Sequence, residues 1–568
     1  MKYKYILLSM IQAALFFSCY DLDRKPADAL DENSFWKTQT HADQAMMGVY
    51  AQMQNDHVFG IQYGFDCLSD IGTGYDDPAY FRISRGTYNS SEDYCARKFA
   101  NLYEGVARAN AVLQNVDKIT MSDELKARYK GEARFMRALY YFTLCDFYGG
   151  VPLYDETTVV AKDFANMLKP RDTQEAVHEF ILKDLDEAAR TLPSEWDIPN
   201  RGRATRWAAL SLKGKTLLYG KKYKEAADVF EEVIKTSGIT LYPDYAALFK
   251  PGGDESSEMI FAVQNMSGVG TEFGMPMAKY MGTRAAYGSC WNNVMAATTF
   301  VDSYEWKDGR PFDWDEFVPG FKNDNKVKDK TFRASLTPDK TKVKAYPSAK
   351  EKLLEMYAKR DPRMAASIIL PYSRYNGWVS NARKDCEYVV ARGVNEKNGF
   401  IRINGSMSDS YPWRKFVPEY DMGGSLTNRE HTPINFPIIR YADVLLMCAE
   451  CHNETGNQAR AVELINQVRA RVEMPGLNSG PEWLKASTKE EVFRRIMHER
   501  AVEMAGEGLR FSDLRRWDLL KKLLDGKWEK GFTGAKYYQR VVRDRDYLWP
   551  IPIEEIDKND KLVQNPGW

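Results

Sequence analysis

Few of the residue sets that do covalent or metal chemistry occur in this 568-residue chain. Six histidines stand at positions 41, 57, 178, 431, 452 and 498, and none falls into HExxH or another tight ligand set. No GxSxG elbow presents a nucleophilic serine. Cys448-Ala-Glu-Cys451 has the CxxC spacing of redox and metal pairs. It sits inside the apolar helical stretch ADVLLMCAECHNE, with no second pair and no helix N-terminus to lower a thiol pKa, so buried free thiols are expected. The run from Asp70 to Asp77 (DIGTGYDD) follows no strand of a nucleotide fold and lacks the EF-hand spacing, so neither a nucleotide nor a metal is expected there. Carboxylates are plentiful, but a glycosidase needs two of them about 5–9 Å apart across one cleft, a separation no sequence gives. A hydrolase therefore stays open as an alternative. The 13 Trp and 33 Tyr exceed what core packing obviously requires, and some of these rings are expected to form a binding surface.

The N-terminal residues 1–18, MKYKYILLSMIQAALFFS, combine Lys2 and Lys4 with an apolar run too short to span a bilayer, which reads as an export signal. Cys19 follows directly after Ser18, the arrangement of a bacterial lipoprotein, in which the thiol and the freed amine take acyl chains. A plain cleaved signal and a retained buried segment are the alternatives. No other window approaches 18 consecutive apolar residues. With 79 basic and 79 acidic side chains and no long basic block, nucleic acid is not an expected partner.

Helical periodicity dominates what remains. A helix is expected within 31–53, capped at Thr38 or Thr40, and the stretch 56–93 reads as loop. Helices follow over 95–116, 122–147, 172–190, 203–220, 223–236, 438–453, 457–470 and 489–504. Trp207, Leu210 and Gly214 face Tyr223, Ala226, Ala227 and Phe230, with small residues at the crossing, as a tetratricopeptide-type hairpin requires. Residues 240–435 are rich in Gly, Pro, Tyr and Trp, with strand-like runs at 258–263 and 366–370. The chain is thus read as mainly α, with a helical scaffold over 31–236 and 436–568 and a loop-rich binding subdomain over 240–435. Arg440, Asp443, Glu450, Glu499, Arg510, Asp513 and Arg516 are charged residues within apolar helices, read as ion pairs joining adjacent helices.

Several strings carry a family resemblance. Cys19-Tyr20-Asp21-Leu22-Asp23 and Ser34-Phe35-Trp36-Lys37-Thr38 open it, then Arg108-Ala109-Asn110-Ala111-Val112-Leu113 and Gly131-Glu132-Ala133-Arg134-Phe135-Met136-Arg137-Ala138. Tyr148-Gly149-Gly150-Val151-Pro152-Leu153, the run 436–447 (FPIIRYADVLLM), the run 499–517 (ERAVEMAGEGLRFSDLRRW), Leu548-Trp549-Pro550-Ile551-Pro552 and the closing Asn565-Pro566-Gly567-Trp568 complete it. With these in order, the chain resembles the SusD/RagB family of nutrient-uptake outer-membrane lipoproteins. The resemblance implies an outward-facing lipoprotein with four tetratricopeptide-like helix pairs packed against an irregular, loop-rich ligand-binding half containing short strands. It further implies a lid on a SusC-like TonB-dependent outer-membrane transporter, to which bound oligosaccharide or polysaccharide is passed, with no bond broken and no cofactor.

Sugar recognition needs flat apolar faces against ring C–H groups and amide, carboxylate or guanidinium groups for hydroxyls. Aromatic and polar residues in loops are the candidates: Tyr63, Asp70, Tyr75, Asp76 and Tyr80 in the first loop, Trp291 and Asn292 after Gly288-Ser289, and Tyr375, Asn376 and Trp378 in the run 372–378. Trp413 is a weaker one. The resemblance adds Asn101 and favours Asp70 and Tyr75, while Lys98-Phe99 stands where the family often has Trp, a departure from its starch-binding site. A neutral chain casts no vote for a polyanionic glycan, although local patches can override that balance. A receptor for peptide or another nutrient is the remaining alternative.

Overall fold

The computed structural model describes residues 35–163, 167–266, 273–392, 399–402, 407 and 409–568. The export segment and Cys19 lie outside the described residues. No described helix is long and apolar enough to cross a membrane.

Helices start where a side chain can take the unpaired amides of the first turn. Thr38 accepts from His41 N at the head of α1 (Gln39–Ala51), ahead of α2 (Asp93–Asn115). Ser122 caps α3 (Asp123–Tyr148), Thr173 caps α4 (Gln174–Thr191) and Thr205 caps α5 (Arg206–Tyr219). Each such cap contributes about 1 kcal/mol. α6 (Tyr223–Thr236) and the short α7 (Met277–Met281) follow, then α8 (Tyr441–Glu454), α9 (Gln458–Arg471) and α10 (Lys489–Glu503), the last opened by a reciprocal Thr488–Glu491 capping box.

From α2 to α6 each helix packs on the next, and the array continues through α8 to α9 and α10. Small residues set the close crossings. A Cβ at Gly105 would lie 2.6 Å from the Tyr140 ring, and one at Gly214 would lie 2.5 Å from the Phe230 ring. The expected small-on-large crossing of α5 and α6 is therefore present. What periodicity does not show is that α6 packs directly on α8, so that residues 237–440 emerge from, and return to, one step of the array.

Short strands fasten this insertion. β1 (Gly72–Gly74) comes from the N-terminal part, and β2 (Phe261–Val263), β3 (Val294–Ala296), β4 (Arg374–Val379), β5 (Ala382–Glu387), β6 (Tyr411–Pro412) and β7 (Phe436–Ile439) follow. β2 pairs antiparallel with β7, zipping the two ends of the insertion together, and Phe261 packs on Phe135 of α3 at 4.8 Å. β3 joins β1 on one side and β6 on the other, all antiparallel, and β4 pairs with β5 in a hairpin. β8 (Trp528–Lys530) and β9 (Lys536–Gln539) form a further hairpin. Two expectations fail. The run 366–370 is not a strand: Asp361 caps a helix over Pro362–Ser367, and only Ile368 bridges to Trp413. The stretch 56–93 is not loop throughout, because Gln62–Leu68 forms a short, tightly wound 3-10 helix with Tyr63 and Phe65 in the core.

Between the array and the insertion lies a buried charge network. Arg440 pairs with Glu258 (3.0 Å), Glu503 (2.7 Å) and Glu507 (2.8 Å). Arg471 pairs with Glu258 and Glu503, Lys415 with Glu507, Arg363 with Asp361, Glu499 and Glu503, Arg469 with Glu305 and Glu499, and Arg495 with Glu305. Six acids thus face six bases. Arg500 joins Asp443 to Asp513, Arg516 joins Glu450 to Asp513, and Arg510 holds Asp70, so the charged residues singled out in the apolar helices do form ion pairs.

Candidate functional site

Strand pairing brings two distant loops together. Gly74 lies opposite Val294, and the ladder runs on through Tyr75 N to Asn293 O at 3.1 Å, which sets Tyr75 beside the turn at 288–293. The Tyr75 hydroxyl donates to Trp291 O at 2.6 Å. The turn itself needs left-handed backbone at Gly288, Ser289 and Asn292 (φ +77°, +56° and +57°). Two clamps hold it there: Arg429 Nη1 donates to Gly288 O and Ser289 O, both at 2.8 Å, and Trp291 N donates to Lys279 O at 2.8 Å. A strained turn that is over-determined in this way is typical of sites where conformation serves a purpose.

The result is an aromatic surface with a charged border. Trp291 is 40% exposed, and Tyr280 of α7 meets it at 6.3 Å and 67°. Lys279 Nζ lies 4.8 Å from the Trp291 ring and 2.9 Å from Glu430, and the Arg429 guanidinium lies 5.7 Å from the same ring. Lys279 is held above its ordinary pKa: burial opposes the charge, but Glu430 and Tyr280 together outweigh it. Asp76 is exposed, and Asn293 Nδ2 reaches its carboxylate at 3.4 Å. Earlier in the same 284–291 segment, Tyr287 meets Trp378 at 5.4 Å, and Trp378 N donates to Ala285 O. Rings of this kind can cover an apolar sugar face while the ammonium, guanidinium and carboxylate groups take hydroxyls.

The structure sorts the remaining candidates differently. Tyr63, Tyr80 and Tyr375 belong to the core: Tyr80 stacks on Phe65 at 4.5 Å, Tyr63 meets Phe436 at 6.2 Å, and the Tyr375 hydroxyl donates to Pro418 O at 2.6 Å. Trp413 is fully buried as well. Asn292 is fully buried, with both side-chain polar atoms lacking a protein hydrogen bond, so it offers no surface. Asn376 is spent on Glu419 (2.5 Å) and Tyr420 (3.2 Å), and Asn101 bonds back to Arg97 O in its own helix at 2.9 Å. Asp70 is separated from Tyr75: it takes a two-pronged pair from Arg510 at 2.8 and 2.9 Å and lines another cleft. Sequence reasoning missed Tyr280, Lys279 and Arg429. The aromatic density of the 280–291 run was the available signal for Tyr280, whereas Arg429 is brought in by a contact across 140 residues.

The seven described cysteines are buried and unpaired. Glu231, Cys448 and His452 bring one donor atom each to within 4.8 Å of one another. Glu231, however, is engaged by Arg460 (2.8 Å) and Lys235 (3.1 Å), and burial pushes the Cys448 thiol well up, so the group is an ion-pair cluster.

Comparison with known proteins gives the lineage. Residues 257–568 match the model of the SusD family, and residues 21–218 match a model described as starch-binding associating with outer membrane. SusD-like protein P25 of Formosa agariphila is 25% identical over 98% of this chain and 97% of its own. A SusD-like protein of Bacteroides fragilis superposes with a TM-score of 0.75 at 23% identity, covering 96% of this chain and all of the other. A second solved protein of that species, described as a SusD-like carbohydrate-binding protein, also gives 0.75 at 24% identity, over 93% of this chain and all of its own. On the two family matches, the chain belongs to the SusD family, whose members are non-catalytic carbohydrate-binding proteins of the outer membrane.

Proposed function

We propose that the surface built from Tyr75, Tyr280 and Trp291, bordered by Asp76, Lys279 and Arg429 and flanked by Trp378, captures an oligosaccharide at the cell surface and passes it to a SusC-like TonB-dependent transporter. The observation that carries this reading is the exposed Trp291 ring, held on a clamped turn. A large apolar ring left in water on a rigid mount is poor for stability and good for recognition, because little side-chain entropy is lost when a sugar covers it. Lipid on Cys19 would tether the protein, and two or more acyl chains make such a tether stable. The solved Bacteroides fragilis relative described as carbohydrate-binding lends support by likeness of fold.

The test is a calorimetric screen of neutral oligosaccharides against the purified protein, with chromatography of the sugar afterwards. Binding of one glycan class with the sugar recovered intact is expected. Release of shorter products would replace capture by hydrolysis, and silence across the screen would remove the sugar-receptor reading for the isolated protein.

A further inference from the structure

A cleft of about 830 Å³ opens between the helix Thr298–Ser303, α10 and the β8–β9 hairpin. Its walls carry acids and bases in unequal states of engagement. Asp70 is taken by Arg510, and Glu529 by Arg540 at 2.8 Å. Asp302 accepts from the Trp314 indole at 2.7 Å, and burial pushes its carboxyl up to about 6. Lys328, Arg494, Lys527 and Lys530 line the same cleft, and among the described residues none of the four is paired with a carboxylate. In a chain of zero net charge, four positive groups without a salt-bridge partner around one concavity are a concentrated feature, although Asp302 and Asp315 act on Lys328 from a distance. Low-dielectric walls focus the field of such a group on whatever enters.

An aromatic ring stands among these charges. Trp528 is 42% exposed, and along β8 it shares a face with Lys530, while Glu529 turns the other way onto Arg540. Lys536 of β9 lies 4.9 Å from the Trp528 ring. The hairpin is pinned to the cleft wall by Thr298, whose hydroxyl donates to Lys530 O at 2.8 Å. A ring beside cations suits a sugar that carries anionic groups: the ring takes the apolar face and the cations take the charge.

We propose that this cleft is a second saccharide site, separate from the Trp291 surface, and that it takes sugars bearing carboxylate or sulfate groups. Lys328 fits that role, since burial and the nearby Lys530 disfavour its charge more than Asp302 and Asp315 favour it, and an anion between the two lysines would relieve the repulsion. The saccharide half of the proposal rests on the carbohydrate-binding reading above, whereas the anion half stands on the unpaired cations alone.

The test is calorimetry of the purified protein with oligogalacturonate, a sulfated galactan oligosaccharide, a neutral galactan of the same length and inorganic sulfate. The variants are Lys527→Ala/Lys530→Ala, Trp528→Ala and Trp291→Ala. These side chains are exposed, and unchanged melting temperatures verify folding. At least one anionic oligosaccharide is expected to bind, to weaken tenfold or more in the double variant and in Trp528→Ala, and to weaken with added salt. Trp291→Ala should leave it unchanged, so failure here and failure of neutral-glycan capture are separately visible. Absence of anionic binding at low salt, or binding indifferent to the double variant, would overturn the site. Sulfate binding as tightly as the sugars, with Trp528→Ala silent, would overturn its saccharide character.

Discussion

Replacing Arg440 by Met puts the buried network to a quantitative test. The guanidinium donates from Nε to both Glu507 oxygens (3.0 and 2.9 Å), from Nη1 to Glu258 (3.0 Å) and Glu503 (2.7 Å), and from Nη2 to Glu503 O (2.7 Å). Methionine fills part of the volume but leaves six acids facing five bases. Breaking a buried pair on one side costs about 3–5 kcal/mol. At ~2.1 cal/mol/K per residue, unfolding about 530 residues releases about 1.1 kcal/mol/K, so the melting temperature should fall by about 3–5 °C. The loss should also depend on pH. The uncompensated carboxylate binds its proton more tightly in the folded variant than in the unfolded chain, so the variant is worst at about pH 8 and partly recovers towards pH 5. Scanning calorimetry at both pH values measures this, with Lys224→Ala as the control, since the Lys224–Asp228 pair is largely exposed and should shift little. A melting temperature unchanged in Arg440→Met, or a deficit that grows on acidification, would refute the reasoning.

Other consequences are equally direct. Lys98 Nζ is buried, donates to Val58 O at 2.9 Å, and burial pushes its ammonium down from 10.5 to about 7. The unfolded chain then holds more protons between about pH 7 and 10.5, so Lys98→Met should be more stable than the parent below pH 7, by a few kcal/mol at most, with the advantage shrinking as pH rises to about 10; melting curves across that range would contradict this if the advantage grew. Gly214→Ala drives a methyl into the Phe230 ring and should destabilise by about 1–3 kcal/mol in denaturant titration, with no effect counting against the close crossing. The seven described cysteines are buried, so a thiol reagent should modify them only on unfolding; rapid reaction of Cys448 or Cys451 in the native protein would revive a chemical role for that pair.

How far the sequence carries depends on how local the determining contacts are. The cap at Thr38 and the Gly214–Phe230 crossing are set within a few turns of chain, which is why helices and their packing were legible. Arg440, Arg516 and Asp513 were legible as ion-pair members because a charge on an apolar helix has few other fates. The site was only partly so. Tyr80 and Trp291 look alike in sequence, each a ring in a glycine-rich stretch, but Tyr80 turns inward at φ +49° onto Phe65 while Trp291 is held out by Lys279 and Arg429. That difference is decided by β1 pairing with β3 across more than 200 residues, and no local pattern reports it.

The central claim is that Trp291 on its clamped turn is the face that holds sugar. The measurement that tests it most directly is calorimetric titration of the best neutral oligosaccharide into the parent protein and into Trp291→Ala. Losing a ring that anchors a bound ligand should weaken affinity at least tenfold, about 1.4 kcal/mol, with the melting temperature unchanged. Equal affinity in the two proteins would place the sugar elsewhere and contradict the account.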